Sequence, residues 1–485
     1  MFHLLQTLSE HTADLDAGVP ARGLHGEGYR GHIFWDDLFV LPLITSRLPW
    51  VTRSLLEYRW RRLDAARDRA REAGLAGAMF PWRSGSDGTE DTPPWLYNRF
   101  SGTWTPDHSH LQRHGGLAVA YNAWQYYEAT ADRDWILGHG ADLIVEIARS
   151  FAAAAEYDAG DGRFHLRGVV GPDEYHDGYP DRAGQGIDDN AYTNVMASWV
   201  CSRPARIMNA VRGRDRRDLR RRLRITGAEM DRWNLLARRL HVPFHDGVIS
   251  QFSGYGELRE LDWGHYRRTY GNIERLDLIL GAEGDSTNRY RLSKQADVLM
   301  LFYVLGEDQL VRRLRRMGYA LTEEQLARTV EYYLARVAHG STLSRVAHAS
   351  VLAASNPERA WSTFRDALDA DLDDTQGGTT RTGIHLGAMA GSVDVIQRSF
   401  AGLRMSADAL VFAPRLPTEL RQVSFRIRYR GLPLGVTLEH DMLTVDAAES
   451  TADPVRVRVG RDVTLVEPGS TVRISLRPEP LSSGA

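Results

Sequence analysis

The chain has 485 residues, with 60 Lys and Arg against 63 Asp and Glu and a formal net charge of −3. A hydrophobic content of 43% and a charged content of 25% are those of a globular protein, which excludes disorder, collagen and coiled coil as descriptions of the whole chain. The near-neutral balance argues against nucleic acid as the main partner, no apolar run reaches the roughly 18 residues of a membrane span, and the single cysteine, Cys201, permits neither a disulfide framework nor a cysteine-based zinc site.

From the N-terminus, the first ten residues lack the basic region and long apolar core of a secretory signal, so a cytoplasmic location is expected, in keeping with the lone cysteine. Apolar residues then recur at three- and four-residue spacing, which predicts helices over 53–73, 116–131, 141–157, 191–211, 296–305, 322–338 and 357–368. The Arg-rich stretch 212–224 reads as a solvated helix face. After residue 410 the period changes to two, as in Val423-Ser-Phe425-Arg-Ile427-Arg-Tyr429 and Val455-Arg-Val457-Arg-Val459, with turn residues between the runs. All twelve tryptophans lie at or before Trp361. The expected architecture is therefore mainly α: a large helical domain over 1–405, of a size that fits a toroid of paired helices, followed by a small antiparallel β-sandwich domain over 406–485.

One compositional fact stands out. Lys294 is the only lysine, and every other basic residue is arginine. Where only positive charge is needed arginine can replace lysine, but a compact ammonium on a flexible stem cannot be so replaced, which marks Lys294 as a candidate functional residue.

Between the helices, four loop stretches are dense in residues suited to sugars. Trp35-Asp36-Asp37 joins an aromatic ring, which can stack on the apolar face of a sugar, to carboxylates that accept paired hydroxyl hydrogen bonds. Met79-Phe80-Pro81-Trp82 is followed by Asp107-His108-Ser109-His110. Its histidines mimic a metal site but have no third ligand at convincing spacing, so no metal is expected. Gly171-Pro172-Asp173-Glu174-Tyr175-His176 places Glu174 outside any helical period, among polar and aromatic groups, as suits a general acid; Asp188 to Asn194 follow. The fourth stretch is split into Lys294-Gln295-Ala296-Asp297, His339-Gly340-Ser341-Thr342 and Gln376-Gly377-Gly378-Thr379-Thr380 leading to His385. The glycines lack the Gly-Lys-Ser/Thr ending of a nucleotide-binding loop, yet their backbone N–H groups and hydroxyls suit a free anion.

Taken together, in this order and across nearly the whole chain, these stretches and Ala21 to Glu27 resemble glycoside hydrolase family 65, the maltose, trehalose and kojibiose phosphorylases. The resemblance implies an (α/α)6 barrel with a C-terminal β domain. It implies Glu174 as general acid, with Trp35, Asp36, Trp82, Tyr175, His176, Lys294 and Gln295 binding the sugar and Ser341, Thr342, Gly378, Thr379 and His385 holding phosphate. The implied reaction is inverting phosphorolysis of an α-linked glucose disaccharide to β-glucose 1-phosphate and a free acceptor, with inorganic phosphate as co-substrate and no cofactor. An inverting hydrolase needs a second carboxylate to activate water, whereas a phosphorylase needs an anion cradle instead. An inverting α-glucosidase on the same fold, and an inactive or partner-dependent fragment, are the competing readings. The family normally begins with a large β-sandwich, whereas this chain starts almost at the barrel, so a homodimer or a separately encoded N-terminal domain is an expected partner. Thr382, before Gly383-Ile384-His385, and Leu334 stand where many relatives carry Glu, which bears on acceptor specificity.

Overall fold

A computed structural model describes residues 16–23, 28–375 and 379–476. The molecule is mainly helical up to residue 400 and built of strands beyond it. Six helices carry the core: α1 (Asp37–Thr45), α2 (His114–Thr130), α3 (Ala191–Cys201), α4 (Asp297–Leu305), α5 (Thr342–Ala353) and α6 (Leu386–Asp394). Each packs against the next, and α6 returns to α1, so the six make a closed circuit. They are apolar nearly all round; every residue of α3 and α4 is buried. Among the described residues no helix is long and apolar enough to cross a membrane.

The outer helices are amphipathic and show where local chemistry stops the periodic reading. The predicted helix 53–73 is two helices, Pro49–Arg61 and Leu63–Glu72. The predicted helix 191–211 breaks at Ser202, because Pro204 has no N–H to continue the ladder and sits instead at the start of a new helix, Arg203–Ala210. The predicted helix 141–157 ends at Ala154 and gives way to a short hairpin, Glu156–Asp158 with Arg163–His165. The Arg-rich stretch forms the helix Gly213–Arg222, with only Leu219 buried and with Arg221 and Arg222 paired to Asp218 and Asp142.

The C-terminal region holds two four-stranded sheets. In chain order the strands are β1 (Arg404–Met405), β2 (Leu410–Phe412), β3 (Gln422–Tyr429), β4 (Leu432–Glu439), β5 (Met442–Ala447), β6 (Val455–Val459), β7 (Asp462–Val466) and β8 (Thr471–Ser475). One sheet runs β8-β5-β4-β3 and is antiparallel throughout; the other runs β7-β6-β2-β1. Here the expectation of a purely antiparallel domain is corrected: β6 pairs with β2 in parallel, through Val457 opposite Leu410. The chain leaves β2, builds most of the other sheet and comes back in the same direction, the long connection a parallel pair requires. Alternate residues Ile427, Leu434, Val436, Leu443, Val445 and Val457 fill a separate core. Backbone hydrogen bonds tie this region to the helices: Arg428 N–H donates to Ser46 O (2.6 Å) just past α1, and Arg430 N–H to Ala129 O (2.8 Å) in the last turn of α2.

Candidate active site

The polar loops that enter the six core helices converge on Glu174. Gly171-Pro172-Asp173-Glu174 is a turn closed by Glu174 N–H donating to Gly171 O at 3.1 Å. Glu174 itself has φ +62°, a left-handed conformation that costs a non-glycine residue about 1 kcal/mol or more and persists only where the surroundings enforce it. The enforcement is visible. Asp173 N–H donates to Asp297 Oδ1 (2.5 Å), and Lys294 N–H to Asp173 Oδ1 (2.6 Å). Gln251 and His176 Nδ1 bind Asp173 Oδ2 at 3.0 and 2.7 Å. Gln295 Nε2 donates to Pro172 O at 2.7 Å. Asn190, which also caps α3, donates to Asp297 Oδ2 at 2.5 Å. Gly171 is obligatory, because a Cβ there would overlap Asp297 Oδ2 and Asn190 Nδ2. Burial and the adjacent Asp173 carboxylate push the Asp297 carboxyl far above the usual range.

Lys294 leads into α4 and turns its ammonium onto Glu174 Oε2 at 2.7 Å, both side chains about one-quarter exposed or less. Burial alone lowers an ammonium, but the Glu174 carboxylate outweighs it and holds Lys294 above its ordinary range. The stem of Lys294 is packed tightly: a Cβ on Gly340 would overlap the Glu274 carbonyl and lie 2.8 Å from the Tyr175 hydroxyl and 2.9 Å from Lys294 Cγ.

Asp36 stands just before α1, 9% exposed, within electrostatic reach of Glu174. Burial first, then the charge of Asp37, pushes its carboxyl up to about 7. Asp37 is turned away and paired with Arg59 at 3.1 Å. Trp35 and Trp82 are 2% and 7% exposed and pack on each other and on His114.

Next to Asp36, at the start of α6, lie groups expected at phosphate. His385, at the start of α6, receives a fixed orientation from Asp371, whose Oδ1 accepts from Nδ1 and whose Oδ2 accepts from the backbone N–H, both at 3.0 Å. His385 and Arg22 hold the Asp371 carboxyl below its usual range in spite of burial. Burial, with Arg22 nearby, holds His385 below its usual range against the pull of Asp371. Arg22 reaches the carbonyls of Gly383 and, at 3.3 Å, Thr379. Ser341 caps α5 through Leu343 N–H at 3.3 Å, and the Thr342 hydroxyl is buried without a hydrogen-bond partner. Gly378 lies outside the described residues.

Glu174, Lys294, Asp36 and His385 lie within electrostatic reach of one another, and Gln295 holds the Glu174 turn through Pro172. Tyr175 and His176 support it from behind. The Tyr175 hydroxyl donates to Glu274 O at 2.8 Å, and His176 is 1% exposed with Nδ1 on Asp173 and Nε2 at 3.1 Å from Tyr290 O. Sequence reasoning left Arg22, Asp173, Asn190, Asp297 and Asp371 off the site. Four of them sat inside or beside the quoted motifs, but their partners are distant in the chain. The arrangement can hold a proton next to a bound oxygen while offering donors to an anion, as acid-assisted displacement at a glycosidic carbon requires.

Comparison with known proteins agrees with this class. Residues 1–394 match the glycosyl hydrolase family 65 central catalytic domain and residues 403–465 the C-terminal domain of the same family. The chain belongs to glycosyl hydrolase family 65. It is 52% identical to an uncharacterized glycosyl hydrolase of Mycobacterium tuberculosis over 98% of this chain and 36% of that sequence. It is 39% identical to the trehalose 6-phosphate phosphorylase of Lactococcus lactis over 92% of this chain and 57% of that one. The chain therefore spans between about a third and three-fifths of these relatives. A solved structure described as a candidate kojibiose phosphorylase from human microbiome shares the fold, with a TM-score of 0.79 at 22% identity over 99% of this chain and 65% of that chain.

Proposed function

We propose that this chain catalyses inverting phosphorolysis of an α-linked glucose disaccharide, giving β-glucose 1-phosphate and a free acceptor, with inorganic phosphate as co-substrate. The circuit of six helices is read as the inner wall of an (α/α)6 toroid, with the site at its loop-bearing end. The observation that carries the reading is that Glu174 shares its site with a set of anion-binding groups, while the other carboxyl there, Asp36, is assigned to the glucose hydroxyls. The carboxylate nearest that set, Asp371, spends both oxygens orienting His385, so it is poorly placed to activate water. Relatives named as phosphorylases point the same way.

Glu174 acts as the acid at the glycosidic oxygen. As the acid it must carry a proton when the bond breaks, and its Oε2 lies 2.7 Å from the Lys294 ammonium. Sugar hydroxyls that draw the ammonium away, together with the charge of an arriving phosphate, favour a proton on the carboxyl. Asp36 accepts hydroxyl hydrogen bonds from the glucose that is transferred. Phosphate, held by Thr342, Ser341, Thr379 and His385, attacks the anomeric carbon from the face opposite the departing oxygen, which inverts the α-linkage to β.

The test is incubation of the protein with maltose, kojibiose, nigerose, trehalose and trehalose 6-phosphate, with and without phosphate, followed by 31P NMR. Phosphate-dependent appearance of β-glucose 1-phosphate from one of them is expected. Glucose release at the same rate without phosphate would overturn the proposal in favour of an α-glucosidase.

A further inference from the structure

The hairpin that interrupts the helices after Ala154 carries a second cluster, separate from the site above. Asp161 lies in its turn, fixed by Oδ1 accepting from Arg163 N–H at 2.9 Å. His165 ends its second strand. His241 lies alongside, its N–H donating to Phe164 O (2.8 Å) and its carbonyl accepting from Asn194 Nδ2 (2.8 Å). Two elements far apart in sequence are thus locked backbone to backbone, and three side chains project into one space. Among the described residues they are the one group of three such side chains whose ligand atoms all lie within 4.8 Å of one another.

The distances resemble a coordination shell more than a hydrogen-bond network. Asp161 Oδ2 is 3.3 Å from His165 Nε2 and 3.3 Å from His241 Nδ1. Ligands bonded to a tetrahedral centre at 2.0–2.1 Å lie about 3.3 Å apart. His241 Nδ1 is buried and makes no hydrogen bond. The tautomer of His165 is fixed by its other partner. Nδ1 is 2.8 Å from Asp189 Oδ2, a carboxylate that also accepts from Ser253 and Asn194 and so can only receive. His165 therefore donates from Nδ1 and turns Nε2 towards the Asp161 carboxylate, 3.4 Å from its Oδ1 and 3.3 Å from its Oδ2, an approach that calls for a proton or a metal ion between them. A carboxylate behind a histidine is also the support that metal-bound imidazoles commonly have.

The geometry points to a divalent transition-metal site, of the zinc class, formed by Asp161, His165 and His241, with Asp189 orienting His165. Two imidazoles and one carboxylate suit zinc and its neighbours rather than calcium or magnesium. Asp161 is 38% exposed in its side chain, so solvent completes the coordination. The ion would clip the hairpin turn to the segment after the helix Gly227–Arg239. It would act on stability rather than on the chemistry at Glu174.

The test uses the full chain, stripped with EDTA and dialysed. Zinc titrated by calorimetry should bind at one site per chain, and thermal unfolding should shift up by about 2 °C or more at saturating zinc. His241→Ala and Asp161→Asn, both at partly exposed positions, should abolish that binding and that shift. His110→Ala, at an exposed position away from the cluster, should leave both unchanged. Folding of the variants is checked by circular dichroism without metal. Absence of a one-to-one site in the parent chain, or a site that survives both substitutions, would overturn the assignment and leave a proton as the cation at His165.

Discussion

Asp36→Asn offers a quantitative test of how the site is built. The Asp36 carboxyl is pushed up to about 7 by burial and by Asp37, from an ordinary 3.8. A carboxyl with a raised folded value contributes stability that is fully present below about 3.8 and is lost as pH rises through about 7, because the unfolded chain has already released its proton. At pH 5 most of that contribution remains and at pH 8 almost none does. The difference between those two pH values amounts to about 2 to 3 kcal/mol. Asparagine does not titrate. The stability of Asp36→Asn relative to the parent chain should therefore rise by about that amount from pH 5 to pH 8, while activity falls because the amide is a poor substitute for a hydroxyl-accepting carboxylate. Urea unfolding of both proteins at the two pH values measures it. A stability difference that stays within about 0.5 kcal/mol across that range would refute the claim that Asp36 is held in a charge-averse setting.

Further substitutions probe the other groups. Glu174→Gln should lower kcat by about 100-fold or more in a chain that remains folded, since an amide cannot supply the proton; steady-state kinetics beside circular dichroism decide it. Lys294→Arg should lower kcat/KM about tenfold or more, because the planar guanidinium cannot follow the stem packed beside Gly340 and still present a single charge to Glu174; parent-like kinetics would mean that any cation suffices. Asp371→Asn should raise KM for phosphate about tenfold while leaving KM for the disaccharide near the parent value, because only the orientation of His385 is loosened; the two KM values, measured separately, test this.

Much of this molecule was legible before any coordinates. The change of period after residue 410 located the strands, because β residues alternate between a buried and a solvated face whatever their neighbours are. The helix Asp37–Thr45 was hidden for the converse reason. Eight of its nine residues are buried, so it has no polar face to give a period, and it carries Pro42 inside. Glu174 was singled out as a candidate by its loop, and Lys294 by being the single lysine. What the sequence could not convey was the contact between them, 120 residues apart, or the tie from Asn190 to Asp297, 107 residues apart. Such pairs are set by how the helices pack. The site-directed expectations for Tyr175 and His176 illustrate the limit: both belong to the motif that holds Glu174, and only their burial shows that they face inward.

The two backbone bonds from Arg428 and Arg430 to the ends of α1 and α2 bear on how this protein can be taken apart. The last carbonyls of a helix have no partner within it, and here the strand region supplies two of them. A cut near residue 405 separates sequence-defined units yet strips the N–H donors from two carbonyls at the base of the helical half. The strand region is thus better regarded as the closing course of the helical body than as a detachable cassette. Chimaeras between relatives should exchange β3 and the turn after it together with the ends of both helices they contact.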